Sequence, residues 1–393
     1  MYTKIYLKKN KLAAVKRFHP WIFSGAIQRI EKPVEDGELV EVCAPNGNFL
    51  AIGYYQDNTI AIRVLSFKKE EINANFWNET IKRAYNLREQ LQITTDLSTN
   101  AYRLFHAEGD HIPGLIIDIY DKVAVVQCHS IGIHQRIEQI KNALIHVYGN
   151  KLDAVYDKSK GTLPKEYAKD KENRYLFGKT DNQTIKENKN MFQVNWEEGQ
   201  KTGFFLDQRD NRNLLAQYAS GKSVLNTFCY SGGFSIYALN AGASLVHSVD
   251  VSKKAIEWTN ENAEINTFEG GHEAYAMDVL KFLKQTDQKY DIVVVDPPAY
   301  AKSQKARHNA IQGYKRLNIA AFKKVKKGGL MFTFSCSQVV NRALFSHTIL
   351  AAALESGRKI RVLHHLSQPA DHPMNIFHPE GNYLKGLVLS VDD

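Results

Sequence analysis

VLNTFCYSGGFSIYALNAGASLVHSVD, residues 224–250, decides the fold of this 393-residue chain. Residues 223–226 are a short apolar run ending in a polar residue, the pattern of a buried strand. Residues 227–233 form a tight loop closed by Gly232-Gly233, and 234–240 are apolar at helical spacing. Gly242 stops that helix, and 245–249 form a second strand with Asp250 at its carboxyl end. Strand, glycine loop, helix, strand, acid is a nucleotide-binding βαβ unit. The glycines let the backbone approach a ligand, the helix N-terminus offers free N–H groups, and the acid is placed for two ribose hydroxyls. The loop lacks the full G-x-G-x-x-G, so taken alone it also fits a plain αβ turn.

Downstream the α/β alternation continues. Helices are expected at 253–265, 313–325 and 342–355, and strands at 274–278, 291–295, 330–334, 359–364 and 383–391. Polar residues recur at strand carboxyl ends: Asn226, Asp250, Asp278, Asp296 and Cys336. In a doubly wound sheet that edge binds ligands. The order resembles class I S-adenosylmethionine (SAM) methyltransferases, in which the glycine loop holds the methionine moiety, the first acid the ribose and the second the adenine. Asn226, Tyr230, Ser231, Gly232, Gly233, Asp250 and Asp278 are therefore the candidate cofactor contacts. Upstream, 200–210 is a polar loop entering a helix, with Asp207 as candidate N-cap, and reads as a lid that adds Gln208 to the set. No G-K-[ST] occurs, which argues against a kinase or NTPase, and the D-P-P motif makes a nicotinamide dehydrogenase the weaker reading.

The rest of the chain divides in two. Residues 1–70 carry short alternating runs punctuated by glycine, with strands at 39–42, 49–53 and 60–65, and a small β-barrel closes them naturally. Residues 71–190 read as an α+β domain, with an amphipathic helix at 76–91, a strand at 101–105, a hairpin at 115–128 and a helix at 133–147. Residues 191–393 are the nucleotide-binding domain. Hydrophobic content of 44% and charged content of 24% are those of a soluble globular protein. No run reaches the ~20 apolar residues of a membrane span, and the N-terminal YTKIYLKKNK has no apolar signal core. Four scattered cysteines without C-x-x-C argue against a zinc site or a disulfide framework, so a reducing cytoplasm is expected. Net charge is +9, and residues 1–30 and 297–354 are basic tracts without a single acid, a pattern suited to a polyanion. Arg17, His19 and Trp21 in the barrel, and Tyr300, Lys302, Lys305 and Arg307 after the D-P-P motif, are the candidate RNA contacts.

Asp296-Pro297-Pro298-Ala299-Tyr300 is the most informative motif. An acid followed by two prolines fixes an acceptor beside a flipped-out base, and the aromatic can stack on it. Carbon 5 of a pyrimidine is too weak a nucleophile to accept a methyl group unaided. A thiolate adding to carbon 6 makes carbon 5 enolate-like. Cys336, at the end of the strand next to the D-P-P strand, is placed for that attack, and a local positive field would favour its thiolate. Cys43 and Cys128 read as structural, and Cys229 as packing in the cofactor loop.

HPWIFSG (19–25), EGDHIPGLI (108–116), QKTGFFLDQRDNR (200–212), LNTFCYSGGF (225–234), DPPAYAKSQ (296–304), TFSCS (333–337) and the PADHP…PEGNYLKG tail (369–386) occur in one order. In this the chain resembles, over nearly its whole length, the bacterial 23S rRNA cytosine-5 methyltransferases. Those are built as a PUA RNA-binding barrel, a central α/β domain and a class I methyltransferase domain. The resemblance implies that Cys336 attacks the cytosine, that Asp296 bonds the base edge, and that Gly232, Asp250 and Asp278 bind SAM. It implies 23S rRNA or a large-subunit precursor as partner, no membrane, and allows a homodimer. Relatives with two cysteines carry the second directly after Pro-Pro. Ala299 stands there, so the base that removes the carbon-5 proton is open, with Asp371, His372 and His378 as candidates. The rival readings are an N-methylating rRNA enzyme, which needs Asp296 but no cysteine, and an assembly factor that binds RNA and SAM without turnover.

Overall fold

Runs such as VVV at 293–295 and LVL at 387–389 are apolar on both faces, and strands of that kind are stable only between two covering layers. The computed structural model, which describes residues 2–181, 183–301 and 303–393, has them at the centre of a mixed α/β architecture. It resolves into two units: residues 1–185, 194–204 and 370–381, and residues 186–193, 205–369 and 382–393.

In the first unit, six strands (Thr3–Leu7, Trp21–Phe23, Ile27–Ile30, Leu39–Cys43, Phe49–Tyr55, Ile60–Ser66) form one sheet. Its two outermost strands, Trp21–Phe23 and Ile27–Ile30, are joined through the short turn Ser24–Ala26, and Ile5, Val42, Ile62 and Val64 fill the interior. A second, five-stranded sheet carries the helices Ala74–Gln90 and Ile137–Tyr148, which bury Trp77, Ile81, Ile140 and Leu144. Asn73 caps the first helix by accepting from the Phe76 N–H. The tail segment 370–381 belongs to this unit. Asp371 is fully buried, accepts the Arg103 N–H at 3.0 Å, and gives its carbonyl to Arg88, whose guanidinium also forks onto Asp110.

The second unit is built on a seven-stranded sheet. In spatial order its strands are Gly271–Ala276, Leu245–Asp250, Ser223–Thr227, Tyr290–Val295, Val325–Ser335, Lys385–Asp392 and Lys359–Leu366. All neighbours are parallel except Lys385–Asp392, which is antiparallel to both of its partners. The strand order reverses at Ser223–Thr227, which puts the crevice for a ligand at its carboxyl end.

Several boundaries differ from the sequence reading. The helix expected to begin at Gly313 begins at Arg307 and runs to Phe322. Gly313 is tolerated inside it because the Tyr300 ring lies so close that a Cβ would meet its Cδ2 at 3.0 Å. The strand expected at 330–334 starts at Val325 and passes through Gly328-Gly329 with a register shift. The strand expected at 274–278 ends at Ala276, so Asp278 caps the following helix and accepts from the Lys281 N–H. The segment leading into the second unit's helices carries the strand Asn190–Gln193, one arm of a hairpin. Asp207 is no N-cap: the helix starts at Arg209, and the Asp207 carboxylate accepts from the Tyr383 hydroxyl at 2.6 Å.

Candidate active site

The loop after Ser223–Thr227 turns sharply because three of its residues have left-handed backbone: Phe228 (φ 57°), Tyr230 (φ 49°) and Gly232 (φ 80°). Two of these are bulky aromatics, which cost about 1–2 kcal/mol each in that region, so the surroundings must hold them. Asp250 does so from one side, accepting the Tyr230 N–H on Oδ2 (3.1 Å) and the Ser252 N–H on Oδ1 (2.9 Å). The helix Lys253–Glu264 does so from the other: Thr259 Oγ1 donates to the Tyr230 carbonyl (2.7 Å), and Asn262 donates to that of Ser231 (2.8 Å). Gly232 then opens the helix Gly233–Asn240 with no side-chain cap, leaving its first N–H groups facing the crevice. The Tyr230 ring stands edge-on between Phe205 and Trp258. Asn226 points inward and donates to Ser235, which bonds Ser248. Each Asp250 oxygen keeps a second lone pair, the pattern that two vicinal hydroxyls require. These residues fit a nucleoside with an amino-acid moiety laid along the loop.

Asp296 follows the strand Tyr290–Val295, and its Oδ2 accepts from Gln208 Nε2 at 2.9 Å. Gln208 is buried and is itself fixed by Asn211, which donates to Gln208 Oε1 at 2.6 Å. Gln208, read from sequence as part of a lid, thus orients the Asp296 carboxylate. The adjacent strand Val325–Ser335 delivers Cys336, whose Sγ lies 4.0 Å from the Pro297 carbonyl. Cys336 is half-buried, whereas the other three cysteines are buried. Burial, aided by Glu41, pushes the Cys43 thiol up to about 11; burial pushes Cys229 up to about 12 and Cys128 further still. Those three are inert thiols. Ser337 braces the Cys336 turn, bonding Tyr314 at 2.9 Å.

The chain's likeness to known proteins agrees with this geometry. Residues 5–67 match the PUA-like domain family, and residues 102–376 match the S-adenosylmethionine-dependent methyltransferase family. The chain belongs to the SAM-dependent methyltransferases. Its cofactor is SAM. It is 39% identical, over 99% of both chains, to ribosomal RNA large subunit methyltransferase I of Aeromonas salmonicida. It is 39% identical, over the full length of both, to the protein of the same name from Vibrio vulnificus strain CMCP6. Among solved structures it superposes on a SAM-dependent methyltransferase from Streptococcus mutans with a TM-score of 0.83 at 24% identity, covering 98% and 99% of the two chains. A structure named SMU.776, a methyltransferase complexed with SAH, gives the same TM-score and coverage at 25% identity.

The methyltransferase holds a further group that sequence reasoning missed. Lys385 is buried, lies across the sheet from Ser335, and donates to the carbonyls of Ser337 (2.7 Å) and Tyr383 (2.8 Å). Burial pushes its ammonium down to about 8, against the upward pull of a charged Cys336, while Arg342 adds to the depression. Lys385 is thus the positive charge beside the thiol. The only sequence signal was its place in the PEGNYLKG tail. The proton-accepting candidates Asp371, His372 and His378 lie in the first unit, where Asp371 is spent on Arg103 and on His372 Nδ1.

The candidate RNA contacts are mixed. Arg17, Lys305 and Arg307 are exposed. Trp21 donates its indole N–H to Glu108 at 2.8 Å and carries the His378 ring 4.3 Å away, so it is a packing residue as much as a surface one. Tyr300 is half-buried against Tyr314, ring centroids 4.7 Å apart, and burial raises its hydroxyl to about 12. Lys302 lies outside the described residues. Part of the second basic tract is neutralised in space by acids from elsewhere: Lys315 pairs with Glu355, Lys326 with Asp291 and Lys327 with Asp393. No described helix is long and apolar enough to cross a membrane.

Proposed function

We propose that this methyltransferase adds a methyl group to carbon 5 of a cytosine in 23S rRNA, with Cys336 as covalent nucleophile. The observation that carries the reading is the half-exposed thiol at a strand end, 4.0 Å from the Pro297 carbonyl, with the buried Lys385 ammonium behind it. The rRNA substrate rests on the relatives named ribosomal RNA large subunit methyltransferase I. SAM, when bound, supplies the methyl group. Gly232, Gly233, Tyr230, Ser231, Asp250 and Asp278 would hold it, with Asn226 supporting the loop from beneath.

The chain's own residues carry the rest. Lys385 favours the Cys336 thiolate electrostatically. The thiolate adds to carbon 6, and the electron pair of the carbon 5–carbon 6 bond moves onto carbon 5, which becomes able to take the methyl group. Loss of the carbon-5 proton then returns that pair, re-forming the double bond and expelling the thiolate. Asp296, held by Gln208 and Asn211, accepts from the exocyclic amino group of the cytosine and fixes the ring against the thiol.

A precursor particle as substrate form, a cytoplasmic setting and a homodimer belong to the same proposal. The homodimer is supported by the edge strand Lys359–Leu366, which exposes Val362 and Leu363. The domain limits 1–70, 71–190 and 191–393 belong to it too, with the segments 194–204 and 370–381 of the last packed into the first unit. The test is transfer of labelled methyl groups from SAM to large-subunit rRNA from cells lacking the gene, followed by nucleoside analysis. Label in 5-methylcytidine supports the proposal. Label in a purine or on a ring nitrogen overturns it in favour of an N-methylating enzyme.

A further inference from the structure

Two segments far apart in sequence build one aromatic surface on the first unit. Phe18 and Phe377 lie with ring centroids 5.5 Å apart, and the next residues on each, His19 and His378, lie 5.6 Å apart. Phe67 meets Phe18 edge-on from the barrel side at 5.2 Å. Phe18 is 49% exposed and Phe377 45%, and the neighbouring Met374 and Ile376 are more exposed still. Phe23 stands beside His19, also in solvent.

Phe18 makes this surface at a cost. It follows the short helix Ala13–Lys16 with φ 61°, the left-handed position after a helix where glycine is usual. A bulky residue there is an outlier, and burial does little to compensate for the strain, since Phe18 is 49% exposed. The surroundings are cationic. Lys8, Lys9, Lys11, Lys16 and Arg17 are exposed within a tract that holds no acid before Glu31. Two acids face the histidine pair: Glu380, 3.8 Å from His19 and 3.7 Å from His378, and Glu108, which holds the Trp21 indole and acts electrostatically on His378.

We infer that Phe18 and Phe377 form a stacking platform for an unpaired segment of RNA, with the lysines of the N-terminal tract taking its phosphates. Exposed aromatic faces beside a basic track are how single strands are held, because every base has a stackable face once it is out of a duplex. A protein partner would gain nothing from five cations without an acid among them, unless it were itself polyanionic. The platform rests on the proposed rRNA substrate for its identity and goes beyond it. It places a second grip on the first unit, built from a segment of the barrel and from the 370–381 tail, with Phe18 and Phe377 as its stacking residues.

The test is equilibrium binding of the full-length protein to a labelled unpaired RNA of ~12 nucleotides and to a duplex of the same sequence. Wild type is compared with Phe18→Ala/Phe377→Ala and with the ring-preserving Phe18→Tyr/Phe377→Tyr. The alanine pair is expected to bind the single strand about tenfold to a hundredfold more weakly, with the tyrosine pair close to wild type and duplex binding little changed. S-adenosylhomocysteine affinity, unchanged in both, shows that the fold is intact. Equal single-strand binding by the alanine pair overturns the platform. So does an equal loss on the duplex. Because the assay reads binding, failure to find 5-methylcytidine in the transfer experiment would sink the proposed reaction and leave this result standing.

Discussion

Replacing Gly232 by alanine separates backbone strain from steric conflict at the cofactor loop. Gly232 has φ 80°, and an added Cβ would meet Thr259 Cγ2 at 2.9 Å. The left-handed backbone alone costs a non-glycine residue about 1–2 kcal/mol. Apolar carbons prefer ~3.5–4.0 Å, so the threonine methyl must retreat by roughly 0.6 Å or more. It cannot do so freely. Thr259 is fully buried, and its single hydroxyl proton is shared between the Tyr230 and Ala255 carbonyls, 2.7 and 2.9 Å from Oγ1. Overpacking of that kind adds about 1–3 kcal/mol. The sum is about 2–5 kcal/mol against the loop conformation that binds SAM, so the dissociation constant measured by titration calorimetry should rise at least ~30-fold. Thr259→Ser keeps the hydroxyl and removes the methyl. In the double variant only the backbone cost stays, and affinity should recover to within about 5- to 30-fold of wild type. Wild-type affinity in Gly232→Ala, or no recovery in the double variant, would refute the reasoning.

Further outcomes follow from the same geometry. Asp250→Asn should weaken SAM binding about 10- to 100-fold by titration calorimetry, since hydrogen bonds to a charged acceptor are worth about 1.5–3 kcal/mol. Lys385→Met should move the rising limb of the pH–rate profile to higher pH, because removing a cation makes the neighbouring thiolate harder to form. The same variant tests linkage: burial holds the folded ammonium at about 8 against 10.5 for a free lysine, so wild-type stability should rise between those pH values, and the variant should lose that rise. Glu187→Ala should lower the melting temperature on the order of 10 °C, since it strands the buried Arg212, which now forks onto Glu187 at 2.8 Å through both nitrogens. Glu187→Leu/Arg212→Met should be much milder in the same melt.

What could be read from the sequence was what is local in it. The glycine loop, the acid after the second strand and the D-P-P turn each state their geometry within a few residues, through φ preferences and strand-end position. Cys336 was legible for the same reason, being the polar residue that ends an apolar run. Lys385 was not, because its relation to Cys336 is a register across an antiparallel pair, Ser335 opposite Lys385, fifty positions apart. Gly313 misled as a helix start because a glycine reads as a stop, and only the Tyr300 ring against it explains its place inside the helix Arg307–Phe322. Asp207 has the chemistry of an N-cap but is taken by Tyr383. The 369–386 tail carries residues for both units, with Asp371 buried in one and Lys385 in the other, a division that no composition shift marks.

The most direct measurement of the central claim is a covalent trap. With SAM present, the enzyme is given rRNA carrying 5-fluorocytidine, whose carbon 5 has no proton to lose, so elimination of the thiol stalls. The account predicts a denaturation-resistant protein–RNA adduct with wild type, mapped to Cys336 by peptide mass, and none with Cys336→Ala. An adduct undiminished in Cys336→Ala, or none with a wild-type enzyme that methylates normal rRNA, would contradict it.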